Sequence, residues 1–163
     1  MFERECKVFA FLLDYGQKLA ADIDDARFTD QPSAGINHPA WLFGHLAIAT
    51  DFALQLLGEP GTLPRSWFRD FTTGSTPRTD RKSYPSKAEL LTAWETGHER
   101  VDRAVRVAPE GSLDEPHSFE IPVLRVFFPT KADLLAHLLT SHEASHLGHL
   151  SNWRRQSGMP YLF

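Results

Sequence analysis

Apolar residues return every third or fourth position in four separate stretches of this chain. Phe2, Cys6, Phe9, Leu13, Gly16 and Ala20 form the first stripe, widened by Phe11 and Leu12. That period lines one face of a helix and predicts a first helix over about 2–22. The second stripe is Leu42, His45, Ala49, Phe52 and Leu56. Asn37 is its expected N-cap, Pro39 suits the first turn, and Gly58 with Pro60 ends it. The third helix starts at Ser86-Lys87-Ala88-Glu89, the pattern of a capping box. Its stripe is Leu90, Trp94, His98, Val101 and Val105, and Pro109 and Gly111 stop it. Thr130 and Asp133 repeat the capping logic for a fourth helix reaching about residue 156. Leu135, Leu138, His142, His146, His149 and Trp153 face inward on it; Arg154 and Arg155 suit its last turn.

The stretches between are of three kinds. Residues 24–35 carry Pro32, Ser33 and Gly35 and read as loop. Residues 59–85 contain four prolines and two glycines, so they read as a long crossover that Trp67, Phe68 and Phe71 pin to the bundle. Loops of this length are uncommon unless ordered or functional. Residues 112–129 alternate partially through Phe119, Ile121 and Val123, with Pro116, Pro122 and Pro129 interrupting, which predicts a short strand or extended segment. Four long amphipathic helices imply an all-α fold: a four-helix bundle with a long crossover between helices 2 and 3. With 163 residues and no internal repeat, one domain over 1–163 is expected.

Composition narrows the function. The formal net charge is −4, which argues against the broad basic face that nucleic-acid binding needs. No apolar run approaches the roughly 20 residues that cross a bilayer, and the amino terminus lacks a signal-peptide layout. The single cysteine, Cys6, forms no intrachain disulfide and reads as a small core residue. A cytoplasmic protein without membrane or nucleic-acid partners is the expectation.

The chemistry lies in the histidines. His142 and His146 are four residues apart, on one helix face, and His45 occupies a core position on another helix. A lone histidine on an apolar stripe is more often a packed residue with a hydrogen-bond partner. Three together are costly to bury unpaired, and a shared divalent cation offsets that cost. Neutral imidazole suits zinc, nickel, copper or iron; zinc or nickel is the expected ion. Three protein ligands plus an open position is the usual layout of a catalytic zinc.

Glu143 and His149 are the candidate catalytic groups. Glu143 completes His-Glu-x-x-His and reads either as a general base or as a carboxylate that orients a histidine. His149 reads as fourth ligand, outer group or pocket wall, and His98 as pocket, ligand or packed residue. Solvation accounts for His38, His117 and His137. Gly148 in mid-helix suggests close packing or room for a ligand.

The strings N-H-P-A-W-L-F-G-H-L-A and H-L-L-T-S-H-E-A-S-H-L-G-H-L-S-N-W-R-R-Q-S-G resemble the DinB-like superfamily, over nearly the whole chain. The resemblance implies a four-helix bundle, often dimeric, with His45, His142 and His146 as ligands of a divalent metal. The family often has Arg and Gln where this chain has Leu147 and His149, a departure that bears on the metal's surroundings. Members include isomerases and S-transferases that use low-molecular-weight thiols, so the resemblance implies a metal that activates a thiol or water, with a small-molecule thiol as partner and a homodimer as assembly. Two other readings compete: a zinc metallopeptidase built on His142, Glu143 and His146, and a non-catalytic metal-binding or stress-response module. Too few residues follow His146 for a third peptidase ligand from a later helix.

Overall fold

In the computed structural model, which describes residues 2–162, each of the four predicted helices forms close to where its caps and stripe place it. Helix α1 spans Glu3–Ala21 and α2 spans Pro39–Leu56. A short helix, α3 (Arg65–Phe71), lies within the crossover. Helix α4 spans Lys87–Val107 behind the Ser86 capping box, in which Ser86 and Glu89 exchange hydrogen bonds. A six-residue helix, α5 (Pro122–Phe127), precedes the last rod. That rod is α6 (Lys131–His137), a π-helical turn (Leu138–His142) and α7 (Glu143–Gln156) in succession, behind a second capping box at Thr130.

Three details differ from the sequence reading. The N-cap of α2 is His38, one residue after Asn37: its Nδ1 accepts the Trp41 N–H at 3.1 Å. Residues 112–129 form no strand: a non-helical segment over 117–121 is followed by the helix at Pro122–Phe127. The only extended pairing among the described residues is a single antiparallel bridge, Pro116 with Thr130. Proline at the first turn of α5 explains the outcome, since its fixed φ suits a helix start and it has no N–H for a ladder. Finally, the fourth helix is not uniformly α-helical, because an extra residue is accommodated at Leu138–His142.

Helix α2 is buried on nearly every side, although its sequence shows one recognisable stripe. It packs against α4, α3 and α7, while α1 packs against α4, α7 and the π turn. The crossover therefore covers the face of α2 that the other long helices leave open. Two apolar clusters result. One includes Leu12, Leu46, Trp94 and Leu147, the other Phe9, Leu54, Val101 and Leu139. Where α2, α4 and the last rod pass from one cluster to the other, each carries a buried polar residue: Thr50 on α2, His98 on α4 and Glu143 on α7. At the far end Arg154, buried, donates to the Leu19 carbonyl and to both oxygens of Asp22, tying α7 to the end of α1.

The close approach of α2 to α4 depends on Gly97. A Cβ there would collide with Thr50 Oγ1 and come within 2.7 Å of Thr50 Cβ, and β-branched threonine has little freedom to swing away. Gly148, by contrast, meets nothing within 4 Å, so close helix packing does not explain it. Gly97→Ala is therefore expected to lower stability by about 1–3 kcal/mol. Gly148→Ala should raise it by up to about 1 kcal/mol. Denaturant unfolding midpoints check both signs.

Candidate metal centre

His45, His142 and His146 meet. One ring nitrogen from each lies within 4.8 Å of the other two. The rings of His45 and His146 are 4.4 Å apart between centroids, and those of His142 and His146 are 4.6 Å apart. His45 is buried and the other two are half-buried.

The crossover orients the α2 partner. Gly44 has no side chain, and a Cβ at that position would strike the Phe71 ring. Phe71 can therefore lie against α2, and its carbonyl accepts the His45 Nδ1–H at 2.7 Å. With Nδ1 protonated, the neutral ring presents a bare Nε2. Trp41, four residues earlier on the same face, stacks on His45 at 4.8 Å with an interplanar angle of 7°. Its own indole N–H donates to Ser75 Oγ. The Trp41, Gly44 and His45 of the W-L-F-G-H-L string thus work as one unit: glycine admits Phe71, tryptophan backs the ring, and histidine is aimed.

His45 Nε2 and His142 Nε2 are 3.2 Å apart. Two nitrogens on a tetrahedral zinc at 2.0–2.1 Å stand about 3.3 Å apart. The Nδ1 atoms of His142 and His146 are buried with no partner in the protein. Burial lowers the pKa of all three rings, to about 3 for His142 and about 2 for His146, with neighbouring imidazoles lowering those two further. All three are neutral at pH 7, as ligation requires. The donor set, its spacing and its protonation fit a divalent transition metal.

Other predicted candidates fall differently. Glu143 is 2% exposed and does not face the cluster with a free carboxylate. Both of its oxygens accept from His98 Nε2, at 2.8 and 3.0 Å. Burial raises its pKa, and the His98 hydrogen bond opposes that shift. The buried Trp94 indole N–H meets no acceptor in hydrogen-bond geometry, though its polarity also favours the charged carboxylate. His98 is thus a packed histidine with a partner, stacked on Phe9 at 3.6 Å. His149 is exposed, edge-on to His146 at 5.8 Å.

Solvation does not describe His38, His117 or His137. His38 is fully buried as the α2 cap, with its Nε2–H donating to the Arg78 carbonyl. His117 is buried in the segment before α5. His137 is half-buried, stacked on Phe128 and 5.6 Å from the His142 ring. An ordinary helix would turn residues 137 and 142 apart. The i→i+5 turn brings them nearly into line, a local departure that the apolar period does not encode.

His45, His142 and His137 also line an apolar cavity of about 220 Å³ beside the cluster. A wider cleft of about 520 Å³ between α2 and α4, with Asp51, Thr92 and Arg100 in its wall, contains none of the histidines.

These features define an all-helical protein with a three-histidine cluster between two long helices, a cluster compatible with a divalent metal ion. The chain belongs to the DinB superfamily, whose family model matches residues 13–150, a span containing all three histidines. No curated protein matches the chain. Among the described residues no helix is long and apolar enough to cross a membrane.

The depressed histidine pKa values set an acid limit. Between the unfolded value of 6.5 and the lower folded values, the unfolded chain binds protons that the native chain refuses, so stability falls as pH drops. His38, held at about 4 mainly by burial, acts in the same sense. Glu143 acts oppositely: its raised pKa costs stability as pH rises above 4.5. Five histidines, His137 being lowered by burial as well, outweigh this one carboxyl, so urea midpoints of metal-free protein in chelator are expected to fall steadily from pH 6.5 towards pH 4.

Proposed function

We propose that the protein is a metal-dependent enzyme in which His45, His142 and His146 hold one divalent transition metal, zinc or nickel, with an open position for a small substrate. The observation that carries this reading is the convergence of three neutral imidazole nitrogens from two helices, with the His45 lone pair directed by the Phe71 carbonyl. When bound, the cation supplies Lewis acidity and lowers the pKa of a thiol or water at the open position, which suits S-transfer, isomerisation or hydrolysis.

The chain's own residues have distinct tasks. The Phe71 carbonyl holds the His45 tautomer, and carbonyl partners of this kind typically matter 10–100-fold to metal affinity. Trp41 shields one ring face from water. The walls of the adjacent cavity exclude water from one side of the cluster. Glu143 is a positioning residue for His98 and so is not free to serve as the general base of a peptidase, which disfavours that reading. Exposed His149, beside His146, is the remaining candidate for proton transfer. The reading includes one domain over 1–163 and a cytoplasmic setting, as length and composition suggest, and a homodimer, as the family resemblance implies; light scattering of the purified chain tests the dimer.

Elemental analysis is the primary test. The purified protein is expected to carry one transition metal per chain, and His45→Ala, His142→Ala and His146→Ala should each lose it. Retention of full metal affinity by folded His45→Ala would sink the three-histidine site. A separate prediction concerns the support. Gly44→Ala should displace Phe71 and weaken metal binding by about 10–100-fold without altering any ligand, as read by competition with a chromogenic chelator. Glu143→Gln should keep the metal stoichiometry, whereas a peptidase would lose its activity at that substitution.

A further inference from the structure

The cavity beside the histidine cluster has a composition that selects its occupant. Two of the three cluster residues, His45 and His142, form part of its wall, so a molecule seated there lies against the cluster. Its volume is about 220 Å³. A cavity of about 150 Å³ holds one benzene, and sites for drug-sized ligands begin at about 300 Å³. The space therefore suits one ring with a short substituent, or a branched chain of similar bulk.

The lining is almost entirely hydrocarbon. Ile48 and Phe52 contribute from α2, Val123 and Leu124 from α5, and Leu138 from the π turn. Apart from histidines, Thr73 is its only polar residue, and no Lys, Arg, Asp or Glu lines it. A ligand carrying carboxylates or an ammonium would face these walls with no partner, and burying a charge so is costly. The mouth is apolar as well. Ile121 and Val123 line the cavity while remaining 47% and 56% exposed. Apolar side chains that are both exposed and turned into a cavity mark a surface that a ligand covers.

We propose that the molecule brought to the cluster is small and uncharged, with a monocyclic or short branched apolar body, and that the α2–α5 walls discriminate against peptide-like charged thiols. The proposal deepens the functional reading above and rests on it for the role of the cluster, but the cavity's preference can be measured without metal.

The experiment uses the full chain in two forms and reads binding by calorimetry. Zinc-loaded protein is titrated with phenylmethanethiol and with glutathione, which present the same sulfur chemistry on an apolar and a charged body. Metal-free protein is titrated with toluene, which has no sulfur. Phenylmethanethiol is expected to bind at least about tenfold more tightly than glutathione, the discrimination of a pocket that leaves charges unpaired. Toluene should bind the metal-free chain, more weakly. Val123→Arg, an exposed substitution at the mouth, should weaken both apolar ligands about tenfold while circular dichroism and zinc stoichiometry stay unchanged. Ala49→Phe, which fills the cavity, should abolish toluene binding. Glutathione binding as tightly as phenylmethanethiol would overturn the proposal, and so would no toluene binding, or toluene binding indifferent to both substitutions. If the chain binds no zinc but toluene binds and responds to the substitutions, the catalytic reading fails and the cavity's preference stands.

Discussion

An imidazole nitrogen taken out of water needs a partner, and this protein brings three such rings within one nitrogen cluster. That requirement explains why the surrounding structure looks as it does. One ring is satisfied and aimed by a backbone carbonyl, at Phe71. The other two keep a buried nitrogen with no partner in the protein. Burial also makes the rings poor bases, so they meet the cluster neutral. Neutral, closely spaced and incompletely satisfied nitrogens are compatible with a shared divalent cation.

The crossover between α2 and α4 serves this requirement. It passes over the face of α2 that would otherwise be exposed and answers that helix's ring N–H groups one by one. The Phe71 carbonyl takes His45, Ser75 takes Trp41, and the Arg78 carbonyl takes His38. The length of the segment and its abundance of proline and glycine follow from that task. The interior of a regular helix has its carbonyls committed to its own ladder, so the free acceptors come from the C-terminal end of α3, at Phe71, and from the irregular chain after it. Below the cluster, the polar layer of Thr50, His98 and Glu143 divides the apolar core in two. It consumes the one carboxylate that the His-Glu-x-x-His string offers to catalysis. The same string of residues can therefore belong to very different chemistry depending on which way the glutamate is turned.

Much of the architecture was legible in the sequence. The capping boxes at Ser86 and Thr130 marked helix starts, because their signal is a local exchange of hydrogen bonds between residues three apart. The stripes containing His45, His98, His142 and His146 placed those residues inward. Cys6 was read as core and is buried in it. The failures have physical causes too. Residues 112–129 looked extended throughout because apolar residues alternate there, and 117–121 are indeed non-helical, yet Pro122 starts a helix. His137 looked solvated because an ideal period turns it away from His142, and the π turn undoes that. His38 looked like a first-turn surface residue, although a later part of the chain covers it. Glu143 could not be assigned, since its partner lies 45 residues away on α4.

What the sequence alone determined is what depends on neighbours along the chain: the helices, their ends, the inward faces and the presence of histidines on two of those faces. These follow from periodicity and capping, which act within a few residues. What only the tertiary structure decided is everything that depends on partners distant in the chain. That includes the meeting of three nitrogens, the Phe71 carbonyl behind His45, the capture of Glu143 by His98 and the hydrocarbon cavity between α2 and α5. Such contacts are set by how rods and crossover pack in space, and one chain read in order carries no direct record of that packing.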